Sequence, residues 1–96
     1  MSSLDNRQAT LKNLSFALRH REMWPAGFEW NYQDCYKCAM GLAHRMWPQH
    51  VSAPSSDVMA ETFGMNPFDA SMVFLHAGAP ATPEQIADKI DELADA

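Results

Sequence analysis

The chain has 96 residues, enough for one small domain, and 47% of them are apolar, including three Trp, five Phe and seven Met. That content supports a packed core and excludes a disordered chain, and no apolar run is long enough to cross a bilayer. The formal charge of −5 conceals a split: residues 1–50 hold six Lys/Arg against four Asp/Glu, a net of +2, and residues 51–96 hold one Lys against eight Asp/Glu, a net of −7. The opening MSSLDNRQ has no basic stretch leading into an apolar one, so no secretory signal is expected. The expectation is a cytoplasmic protein with reduced thiols.

Leu4, Leu11, Leu14 and Leu18 recur at helical spacing and predict a first helix over 4–22, ended by Pro25 and Gly27. In GFEWNYQ, Phe28, Trp30 and Tyr32 alternate with polar residues, as in a short strand or extended loop over 28–32. Asp34 is the expected N-cap of a second helix, 35–46, stopped by Pro48. A third helix, 56–63, ends at Gly64. Asn66-Pro67 opens a fourth, 67–76, before Gly78 and Pro80. Thr82-Pro83-Glu84-Gln85 reads as a capping box for a fifth helix, 83–94, with Ile86, Ile90 and Leu93 on one face. The fourth helix is apolar on most sides, through Phe68, Ala70, Met72, Val73, Phe74 and Leu75, and is therefore expected at the centre of the core. The fold class is all-α, a compact bundle of about five short helices in one domain, 1–96.

HREMWP at 20–25 and HRMWP at 44–48 are nearly the same words. Both fall at a helix C-terminus, where His and Arg complement the dipole, Trp anchors the exit and Pro stops the helix. The additional Glu22 turns one His-Arg pair by about 100° relative to its Trp, which favours two similar helix stops over a duplicated site.

Cys35-x-x-Cys38 opens the second expected helix. A helix N-terminus can activate a thiol, so a cysteine-dependent enzyme or redox protein is one alternative, although the chain lacks the strands those folds need. Cys35, Cys38, Ala39, Leu42 and Met46 instead form one helical stripe, on which both thiols are expected to be buried and structural. A small zinc-binding domain, with His44 and His50 or with His20 or His76, is the other alternative. The C-x2-C-x5-H-x5-H order is too tight for a finger, and His44 is expected on the solvent side with Lys37 and Gly41. No nucleotide-binding, zincin or hydrolase motif is present, so no catalytic, cofactor or metal residue is assigned. Residues 55–77 have the outline of a helix-turn-helix, but its second helix carries no Lys or Arg to hold phosphate, so direct nucleic-acid binding is not expected.

These features together point to a non-enzymatic macromolecule-binding protein, an inhibitor or adaptor. Phage-type inhibitors of host defence complexes are one concrete form, by size and charge alone. The expected partner is a protein with a basic surface, such as a nucleic-acid-binding complex, and homo-oligomerisation stays open. Glu84, Asp88, Glu92 and Asp95, at spacings of four, four and three, line one helix face with Asp91 beside them. Glu61 and Asp69 extend that strip if the third and fourth helices pack alongside. Trp24 and Trp30 are candidate interface anchors.

Overall fold

Five α-helices carry the fold, and no strand occurs among the described residues. The computed structural model describes residues 9–75 and 81–95. The helices are α1 Leu11–Arg19, α2 Ala39–Met46, α3 Ser56–Phe63, α4 Pro67–Phe74 and α5 Pro83–Ala94, and a 3-10 turn, Arg21–Met23, follows α1. The expected part of the first helix before residue 9, and His76 in the fourth, lie outside the described residues. No helix among the described residues is long and apolar enough to cross a membrane.

Local chemistry sets most helix starts. Thr10 accepts from the Asn13 amide at 3.1 Å and Ser55 from the Val58 amide at 3.3 Å. Asn66 accepts from the Phe68 amide at 2.8 Å, with Pro67 as the first helical residue. At α5 the capping box closes in both directions, Gln85 N–H to Thr82 Oγ1 at 3.2 Å and Thr82 N–H to Gln85 Oε1 at 2.9 Å. Gly64 ends α3 at φ 68°, a left-handed conformation that costs a glycine little.

The largest helix–helix contact joins α1 to α5, with α3 against α4 next. Leu14, Ala17 and Leu18 of α1 are fully buried, as are Ala87 and Ile90 of α5. α2 is buried through its first turn and beyond: Ala39, Met40, Gly41, Leu42 and Ala43 are consecutive buried residues, and only its last turn, with Arg45, reaches the surface. The same core cluster takes in Phe28, Trp47 and Val51 from the connecting segments. The fourth helix was expected in that central place. It instead buries only Ala70, Val73 and Phe74.

The second helix begins at residue 39, not 35, with Cys38 rather than Asp34 at its N-cap. Asp34 and Asn31 explain the delay, because short polar side chains offer the backbone a turn in place of a helix. Asn31 Oδ1 accepts from the Gln33 amide at 3.0 Å and Asp34 Oδ1 from the Tyr36 amide at 2.9 Å. The Lys37 amide then donates to the Asp34 carbonyl at 2.8 Å, and the Asn31 amide to the Lys37 carbonyl at 2.9 Å. The cysteine stripe accordingly starts at Cys38, which is buried, and Cys35 is exposed, contrary to the expectation for both thiols.

The paired HRxMWP-like segments are both helix stops, but with different residues at the cap: His20 after α1 and Trp47 after α2. Each His donates a ring N–H to a backbone carbonyl, His20 to Phe16 at 2.8 Å and His44 to Val51 at 2.7 Å. His44 is therefore half-buried, and Gly41 is buried rather than facing solvent.

Candidate functional site

Most of the acidic strip of α5 faces α1 and the turn that follows it. Arg19 pairs with Asp88 and, at 2.7 Å, with Asp91. Lys12 reaches Asp95 at 2.7 Å and Asp91 at 3.9 Å, and Arg21 lies 3.7 Å from Glu84. Ser15 fixes the centre of this seam: its Oγ accepts from Arg19 at 2.6 Å. The basic first half and the acidic second half of the chain thus meet within the molecule. Four residues of the expected partner strip, Glu84, Asp88, Asp91 and Asp95, are engaged there, and the fifth, Glu92, points elsewhere.

The seam has a pH signature. Burial works against the Asp91 carboxylate, but hydrogen bonds from Ser15 and Arg19 and the charges of Arg19 and Lys12 outweigh it and hold its pKa below the ordinary value. A carboxylate lowered on folding stabilises the native state above its unfolded pKa of about 3.9, and that contribution is lost as pH falls through the folded value. Wild type should therefore exceed Asp91→Asn by about 1 kcal/mol or less at pH 7. The gap should close as pH falls below about 4. Urea unfolding across pH 2–7 checks this, and a gap that persists in acid would remove Asp91 as its source.

Trp24 and Trp30 sit at the edge of the core. Trp24 Nε1–H donates to the Ala17 carbonyl at 2.8 Å and Trp30 Nε1–H to the Ala81 carbonyl at 3.0 Å. The Trp24 ring meets Phe28 edge-on at 5.1 Å and lies 6.3 Å from Trp30. Both indoles are half-buried and tie the 21–32 segment to α1 and to the start of α5, with their polar atoms already used.

What remains open is a surface that the sequence reading placed in the core. Phe68 is 70% exposed, Met72 45% and Leu75 47%. Spacings of four and three put all three on one side of α4, opposite the buried Ala70, Val73 and Phe74. Among the large apolar residues described, Tyr36 is the other one exposed, at 62%. Beside the stripe a groove of about 260 Å³ runs between α4 and α5, lined by Asp69, Met72, Val73, Lys89, Glu92 and Leu93. Glu92 thus belongs to the α4 surface, together with Asp69.

Neither alternative chemistry gains a site from this geometry. Burial pushes the Cys38 thiol above its ordinary pKa, with weaker opposing hydrogen bonds from the Gly41 and Met40 amides, which is the reverse of nucleophile activation. Among the described residues, no three of His, Cys, Asp and Glu converge to hold a metal ion. No protein-family model matches the chain, and no curated protein or solved structure matches it either.

Proposed function

We propose that this chain is a small non-enzymatic binding protein, an inhibitor or adaptor, that docks on a protein partner through α4. The exposed Phe68–Met72–Leu75 stripe carries this reading. Anchors at i, i+4 and i+7 on one helix face are the pattern with which a helix fills a partner's apolar groove. Charge selects the partner. Asp57 and Glu61 on α3, Asp69 on α4 and Glu92 on α5 form no ion pair with another described residue. Lys89 is the single Lys or Arg in residues 51–96. A groove rimmed by Lys and Arg complements such a surface, whereas a second copy of this chain meets it with like charge. The reading carries a cytoplasmic location with it, and the acidic surface argues against nucleic acid as the direct partner.

Immobilised wild type, Phe68→Ser and Met72→Asp are to be compared in capture from a lysate of the source organism at two salt concentrations. The reading requires a protein that wild type retains, that both variants lose, and whose retention falls with salt. Removing one such anchor should cost about 2 kcal/mol or more, about 30-fold in Kd. Both positions are exposed, so thermal unfolding should move by no more than about 0.5 kcal/mol. Retention indifferent to both substitutions would overturn the reading. So would a stripe-dependent dimer in sedimentation, which would make a second copy the occupant.

A further inference from the structure

Cys35 and Cys38 take no part in the docking stripe, yet the fold brings them to one place. The hydrogen-bonded turn of residues 31–37 leaves Cys35 at the surface and delivers Cys38 to the N-cap of α2. Cys38 Sγ lies 3.5 Å from the Cys35 carbonyl oxygen, so both side chains hang from a single tight turn. Both line one open cavity of about 280 Å³, whose other walls are Tyr32, Gln33, Met40, Phe74 and Leu75.

The donors around that cavity are soft. Cys35, Cys38 and Met40 line it, and among the described residues no Asp, Glu or His does. Sulfur ligands of this kind select Cu(I) over harder ions, and C-x-x-C spacing lets two sulfurs grip one ion. Structural zinc takes four ligands, and no third His, Cys, Asp or Glu joins the pair among the described residues. A monovalent d10 ion is satisfied by two thiolates. Cys38 supplies a buried sulfur and Cys35 a surface one, which gives the ion an entry path.

We infer that Cys35 and Cys38 form a binding site for one Cu(I) ion. Two S–H bonds break and two S–Cu bonds form. Two protons leave to solvent, the dithiolate–copper unit carries one negative charge, and no electron is transferred.

The reduced full chain is to be titrated anaerobically into the Cu(I)–bicinchoninate complex, with loss of the chelate colour as the readout. Wild type should take one equivalent and gain an ultraviolet sulfur-to-copper charge-transfer band. Cys35→Ser, at an exposed position, should keep its helical circular dichroism and weaken uptake by more than about 100-fold, the ceiling for losing only a supporting contact. Copper left entirely on the chelator by wild type would overturn the inference. Uptake by Cys35→Ser equal to wild type would do the same. Met72→Asp should bind copper as wild type does, so failure of the docking reading and failure of the copper site are separately visible.

Discussion

Gly41→Ala should lower folding stability by at least about 3 kcal/mol, the upper end of what overpacking usually costs. A Cβ at this position would lie 2.2 Å from both the carbonyl carbon and the carbonyl oxygen of Tyr36, and 2.8 Å from its Cα. These are backbone atoms, and the 31–37 turn that holds them is closed by the bonds at Asn31, Asp34 and Lys37. No rotamer change relieves such a contact. Either the turn comes off α2, exposing Cys38 and the first turn of the helix, or α2 shifts within the core. Denaturant unfolding measures the loss, and alkylation of Cys38 separates the two responses. A variant as stable as wild type would mean that the turn does not rest on α2.

Ile90→Ala should cost about 2–5 kcal/mol. Ile90 is fully buried on α5, and α5 makes the largest helix contact in the molecule, with α1. The cost combines lost transfer energy with the cavity left between two helices that the Arg19 and Lys12 ion pairs hold in register. For a domain of this size 1 kcal/mol corresponds to about 4–8 °C in Tm, so a fall of at least several degrees is expected in a thermal melt. A change no larger than that of an exposed substitution would mean that α5 does not pack on α1.

The two substitutions probe different kinds of information. Ile90 was legible because its stripe with Ile86 and Leu93 repeats at helical spacing behind a capping box. Gly41 was not, because the Tyr36 backbone meets it only after the 31–37 turn has closed. The boundaries of α3 and α5 follow the same division. They match the sequence expectation because Ser55, Gly64, Thr82 and Gln85 satisfy helix ends through bonds only a few residues long. The start of α2 moved because Asp34 satisfied the Tyr36 and Lys37 amides in a turn that Asn31 helps to close, a competition that periodicity does not register.

The sequence alone determined the all-α class, the capped ends of three helices and the chemical inventory: an acidic second half, a C-x-x-C pair and an apolar fourth helix. Tertiary structure decided how that inventory is used. Arg19 meets Asp88 and Asp91 across 69 and 72 residues of chain, so no local pattern could show that the acidic strip closes on α1. A helix apolar all round can be central or can be covered on one side only. α4 packs chiefly on α3, with α5 beside it, and its Phe68, Met72 and Leu75 are left in water. Hydrophobicity fixes how much apolar surface a helix carries, and only the placement of its neighbours fixes which part of it is buried.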